Sequence, residues 1–325
     1  MGWKGTVRSL ESSMKRAARD AERQRKQNEK LQVLAEAEAT VAAFNEYIEQ
    51  ITGLHKERLG APVDWVQHAE APAPKETVSI KRYEPDARFA LEIFKPNFVQ
   101  RLLNTADKKR EKLKRSLKEA GSKDDENQKK IQESFQKEFA NWEKEKTLAG
   151  RILRNDGEAY LEAIESRSSI DKIDDLGSYV SFKITENGDL VSSINVHSDD
   201  VIPSEKYSLR QSGSLSARQM PKTEFNELYQ DYVCSVILRI ASEIFALLPI
   251  ERLLVNAVDD LLNSKTGHIE EQMILSVAVM RKTFKDLKLS DVDPSEAMDN
   301  FVHNMNFKRT QGFAIVAPVN IEELC

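Results

Sequence analysis

The chain holds 325 residues, with 48 Lys+Arg against 53 Asp+Glu for a formal net charge of −5, and 40% of its residues are apolar. No uncharged apolar run approaches the roughly 18–20 residues needed to cross a bilayer. The best stretch, Tyr232 to Leu248, is interrupted by Arg239 and Glu243. Cys234 and Cys325 are too few for a disulfide framework and lack metal-ligand spacing, a usage that fits a reducing cytoplasm.

Charge is unevenly distributed. Residues 1–166 carry 32 basic and 29 acidic side chains (net +3), whereas residues 167–325 carry 16 and 24 (net −8). The first half is Gly-poor and helix-periodic, and the second has β-hairpin signals and one very apolar helix. The expected fold is α+β. It starts with a long helix or coiled-coil arm over residues 1–59 and a Pro/Ala-rich linker over 60–84. A helical hairpin over 85–166 and a compact α+β domain over 167–325 follow. The compact domain is expected to run ββ–α–ββ–α around a buried central helix.

Met1 to Lys30 is polar and lacks the apolar core of a secretory signal. Its first six residues, Met-Gly-Trp-Lys-Gly-Thr, match a short N-myristoylation pattern that also arises by chance. From Val7 to Thr52 there is neither Pro nor Gly, and helix-favouring residues dominate. Leu34, Ala37, Val41, Phe44, Ile48 and Ile51 alternate spacings of three and four, the mark of a coiled-coil seam or of a stripe packed on a bundle. Residues 4–30 carry nine basic side chains against four acidic ones. Arg16, Arg19, Arg23, Arg25 and Lys26 are the candidates for phosphate contact, through counterion release. They spread around every helix face with no aromatics between them, which weakens that reading.

Gly53, Gly60 and Pro62 end the arm, and residues 60–76 read as an extended linker anchored by Trp65. Phe98, Leu102, Leu113 and Leu117 then share one helix, Gly121-Ser122-Lys123-Asp124-Asp125 reads as a turn, and Ile131, Phe135, Phe139 and Trp142 share the next helix. The basic run from Lys108 to Lys118 reads as a solvated face.

Tyr179 to Ile184 alternates with period two, and Leu190 to Val196 resumes strand character. Between them, Asn187-Gly188 supplies a tight-turn signal. Residues 208–219 are rich in Ser, Gly and Arg and read as a mobile loop, with Arg210 and Arg218 as candidate anion contacts. Phe225 to Leu248 predicts a helix apolar on most of its face. Leu253 to Val258 and Met273 to Val279 read as buried strands joined by Asp259 to Gln272. Asp293-Pro294 opens a short helix carrying Met298, Phe301 and Val302, and a last strand is expected near Phe313 to Val316.

No nucleotide-binding glycine loop, zinc signature or nucleophile-elbow motif is present. The remaining chemical candidates are His197 with Asp199, and His268 with Glu271. Each pair lies at a strand end and is able to serve a divalent metal or an acid/base pair if the two converge. His303, beside Lys308-Arg309, reads as a boundary residue.

The opening Met1-Gly2-Trp3-Lys4-Gly5-Thr6, the charged helix after it and the later Thr266-Gly267-His268 resemble a loosely defined set of uncharacterised bacterial proteins. The resemblance implies a bacterial cytoplasmic protein and carries no activity. The sequence therefore favours a non-enzymatic interaction or scaffold protein without a cofactor. It would self-associate or dock a protein partner through its helices. A nucleic-acid-binding accessory protein using the basic arm is the alternative. A metal-dependent hydrolase or nuclease with a site in the carboxy-terminal domain is the second.

Overall fold

The computed structural model describes residues 3–57, 60–77, 80–98, 103, 105–170, 173, 178–263 and 266–320, with the backbone alone for 3–18 and 20. The Arg16 side chain, Leu102 and Cys325 lie outside the described residues. The chain forms two compact units: residues 1–63 with 160–325, and residues 64–159.

The first unit begins with α1, Trp3–Thr52, a single helix of 50 residues, which at 1.5 Å per residue spans about 75 Å. The apolar stripe from Leu34 to Ile51 packs within this unit. Ala37 and Ile51 are buried, and Leu34, Val41, Phe44 and Ile48 are half-buried. Phe44 meets Tyr207 edge to face at 5.6 Å, and the Tyr47 hydroxyl donates to the Val201 carbonyl at 2.8 Å. A 3-10 turn, Leu54–Lys56, follows.

The sheet has five strands in the order β1 (Tyr179–Ile184), β2 (Leu190–Asn195), β5 (Arg252–Leu262), β6 (Ile269–Met280) and β7 (Val302–Met305). β2 and β5 run parallel, and the other neighbours run antiparallel. A parallel pair needs a long crossover. Here it contains α6 (Ser198–Val201), a second hairpin β3–β4 (Glu205–Leu209, Leu215–Gln219) and the 26-residue α7 (Lys222–Leu247). Tyr232 to Ala241 are buried without a break, which requires cover on all sides of the helix. α1 and the 3-10 turn pack on α7, which also packs on β5. The expected buried central helix and α+β class are therefore observed. On the sheet, Val191, Leu254 and Ala278 gather with Val319 in one buried cluster.

Several expectations of detail are corrected. Residues 208–219 contribute strands β3 and β4 around a turn, with Gly213 at φ 79°. Their polar composition disguised them because most of their side chains face solvent. A Cβ at Gly213 would stand 2.8 Å from the Leu34 side chain, so this glycine also lets the turn approach α1. Asp259–Leu262 and Ile269–Gln272, expected as part of a connecting segment, belong to the β5–β6 ladder. Val302 starts an edge strand, because the helical turns at Pro294–Ala297 (α9) and Met298–Asn300 end before it. Gly312–Phe313 pairs with Phe307–Lys308 in a separate small ladder.

In the second unit the expected turn at Gly121 to Asp125 does not form. Residues Ala106–Ile152 make one uninterrupted helix, α4, of 47 residues. The turn-forming side chain has other work: the Asp124 carboxylate accepts from the Arg82, Tyr83 and Glu84 N–H groups at 3.1, 3.2 and 2.7 Å. It thus caps helix α3, Tyr83–Glu92, from outside that helix. The residues expected as linker also contain α2, Trp65–Glu70, with Trp65 buried and Asp64 as its N-cap. The Trp142 indole donates to Ala71 O at 2.9 Å, and Asp124 meets the start of α3, so α2 and α3 follow α4 in the antiparallel sense. A helical hairpin does exist, but its partners are α2–α3 and α4.

Burial opposes the charged form of Asp124, yet the three backbone donors hold its carboxyl below the ordinary carboxylate range. Asp124→Ala is therefore expected to destabilise this unit at neutral pH, where the carboxylate caps the start of α3. The loss should appear as faster amide exchange at the start of α3. An unchanged exchange rate there would mean the cap is dispensable.

Candidate functional site

The carboxyl ends of the parallel strands β2 and β5 bring the best group of polar side chains together. Asn195 pairs with Val258 in register, and the Val196 N–H continues the ladder to Val258 O at 3.0 Å. The chain must then leave the sheet beside Asp259 and Asp260. It turns at His197, which takes a left-handed conformation at φ 39°, an uncommon geometry for a residue with a Cβ.

Asp259 is 2% exposed. Its carboxylate accepts from the Ser198 hydroxyl at 2.5 Å, the Ser198 N–H at 3.3 Å and the Asp260 N–H at 2.9 Å. The Tyr229 hydroxyl also donates to it. Burial first, and the charge of Asp259 second, push the Tyr229 phenol well above its ordinary range, so it stays a donor. Ser198 is itself buried. The two Ser198 bonds hold the start of α6 beside β5, and the Tyr229 bond ties the same carboxylate to α7.

Around this clamp, Asn195 links two of the four sequence candidates. It accepts from the His197 N–H at 3.3 Å and donates to Glu271 at 3.4 Å. His197 Nδ1 lies 3.6 Å from Asp260 Oδ2. Asp199 is exposed on α6, and His268 is exposed on the β5–β6 turn, where its N–H meets the Thr266 hydroxyl at 3.3 Å. On that turn, hydrogen bonds from Thr266 and Asn263 hold the Glu270 carboxyl below its ordinary value. Among the described residues, no three His, Cys, Asp or Glu side chains are grouped to hold a metal ion.

On α1, Arg19, Arg23, Arg25 and Lys26 are exposed. Arg25 pairs with Glu29 at 3.0 Å and Lys26 with Glu22 at 2.7 Å, so both have local partners one turn away. Arg210 and Arg218 are exposed on β3–β4, and His303 is half-buried, with Nδ1 at 3.0 Å from Phe301 O. Cys234 is fully buried in α7, and that burial pushes its thiol up, away from the reactive thiolate.

A buried ion pair and a buried histidine in the core escaped sequence reasoning. Arg239 and Glu243, four residues apart in the apolar helix, form a buried ion pair at 2.7 Å. Their i, i+4 spacing was the available signal. His55 is buried against α7, with Nδ1 at 2.9 Å from the Ser235 hydroxyl and Nε2 at 3.4 Å from Val292 O. No sequence signal connects His55 to Ser235.

Desolvation lowers the His55 pKa from its ordinary 6.5. The unfolded chain therefore binds this proton more readily than the folded one, and stability falls as pH drops below that value. Urea unfolding at pH 7 and pH 5 should show a loss that is smaller in His55→Asn. An equal loss in both proteins would assign the acid sensitivity to other groups.

Comparison of the chain with family models, with curated proteins and with solved structures gave no match.

Proposed function

We propose that the chain is a non-enzymatic assembly protein that docks a protein partner, or a second copy of itself, through the amino-terminal part of α1. The observation that supports this reading is the change in burial along one uninterrupted helix. Ile51 is fully buried, whereas Arg19 and every residue from Ala21 to Val33 are exposed, including Leu31 at 57% and Val33 at 56%. Two exposed i, i+4 ion pairs stabilise such a stretch by only about 0.3–0.5 kcal/mol each. A helical stretch this exposed gains most from a partner that covers it.

The apolar side chains also have a place to receive one. Leu31, Val33 and Leu34 line an open groove of about 720 Å³ with Ser212, Gly213 and Ser214 of the β3–β4 turn. A groove between a helix and a hairpin turn suits an amphipathic helix.

The test is the solution mass of the full chain and of the Leu31→Glu/Val33→Glu variant, by light scattering at low and high salt. An oligomer that the double variant dissolves supports assembly through this groove. An oligomer that survives it places the interface elsewhere, and a monomer throughout removes self-association and leaves only a foreign partner. Removing all 59 arm residues is the wrong experiment, since it would strip Ile51 and Tyr47 from the core. The basic arm supports a nucleic-acid reading only if binding weakens steeply with salt and is lost on charge reversal at Arg19, Arg23, Arg25 and Lys26.

A further inference from the structure

We infer that the end of the α2–α3/α4 hairpin is a peripheral docking surface for an anionic lipid bilayer. The inference concerns the second unit and does not depend on the proposed role of α1. Two observations converge on it.

The first is apolar exposure. Phe89 and Ile93 share one face at the end of α3, where the Ile93 N–H closes on Phe89 O at 3.0 Å. They are 63% and 58% exposed, and Phe98 and Leu103, in the connection from α3 to α4, are 80% and 65% exposed. Four large side chains left in water within fifteen residues of sequence are the kind of apolar exposure that marks an interaction surface.

The second is charge. The start of α4, directly after this connection, carries seven basic side chains and one acidic residue between Lys108 and Lys118, and all of the charged groups are exposed. A collar of net positive charge beside an apolar tip complements a layer of anionic headgroups over hydrocarbon.

Ile93 and Leu103 offer nothing for base stacking, which favours lipid over nucleic acid. No helix among the described residues is long and apolar enough to cross the membrane, so the attachment is to one surface.

The test uses the full chain, sedimented with vesicles of pure phosphatidylcholine or of phosphatidylcholine with 30% phosphatidylglycerol (about one lipid in three charged). Binding is expected only to the charged vesicles, weakening at high salt as the basic collar is screened. Phe98→Ser should weaken it about tenfold or more, as expected for losing one inserted aromatic ring. The Lys108→Glu/Lys109→Glu/Lys112→Glu variant should abolish it. All of these positions are exposed, and circular dichroism checks that the helices remain. No binding to charged vesicles, equal binding to neutral ones, or binding unchanged by either variant overturns the inference. Salt-sensitive binding to duplex DNA without vesicle binding overturns it in favour of a nucleic-acid surface. Leu31→Glu/Val33→Glu should leave vesicle binding intact, so failure here and failure of the assembly reading are separable.

Discussion

Replacing Arg239 with alanine is expected to destabilise the sheet-containing unit by about 3–5 kcal/mol, a large share of the stability of an ordinary domain. The Arg239 side chain is only 3% exposed, and Nη1 lies 2.7 Å from Glu243 Oε2. Nε reaches Glu57 at 3.3 Å and Nη2 donates to the Ser169 hydroxyl at 3.2 Å. Glu243 also accepts from the Ser169 hydroxyl at 2.9 Å and from its N–H. One cation therefore joins α7 to the segment after α1 and to the residues after Arg167. Alanine leaves the Glu243 carboxylate buried without its cation, and desolvation sets the cost. The double replacement Arg239→Met/Glu243→Leu removes both charges and should recover most of the loss. Urea unfolding of the three proteins measures this. A cost below about 1 kcal/mol for Arg239→Ala would mean that water reaches the pair.

Ile51→Ala is expected to cost about 2–5 kcal/mol, the range for deleting a large aliphatic side chain from a packed core. Ile51 is among the largest fully buried side chains of the chain. Leu31→Ala, on the same helix and the same kind of side chain, should fall within about 0.5 kcal/mol of the parent, because Leu31 faces solvent. The contrast separates two meanings of one apolar stripe. From Leu34 onward it is core, and before Leu34 it is available surface. Equal, small effects at both positions would show that α1 is held only by association with another molecule. A loss at Leu31 that depends on protein concentration would instead identify it as an interface residue.

The amino-acid sequence alone determined the elements whose signal is local. The helix from Val7 to Thr52 follows from composition and from the absence of Pro and Gly. The β1–β2 hairpin follows from alternation around Asn187-Gly188, and Gly188 takes the positive φ, 84°, that such a turn requires. The burial of α7 follows from its apolar residues on most faces. The charge difference between the halves was also legible, as was the basic run at Lys108.

Tertiary structure decided whatever depends on which distant residues meet. Leu34 to Ile51 make an equally good seam for a second helix or for the molecule's own hairpin, and only the approach of Tyr207 and Gly213 resolves it. Gly121 to Asp125 carries turn chemistry, but Asp124 spends it on the backbone of residues 82–84, and helix propensity on either side then carries α4 through. Asp259 and Ser198 stand 61 positions apart and become partners only because β2 and β5 lie parallel. Local propensity and periodicity are properties of a short window of chain. Burial, capping from a distance and buried charge pairing belong to the contact between windows, where desolvation and packing outweigh local preference.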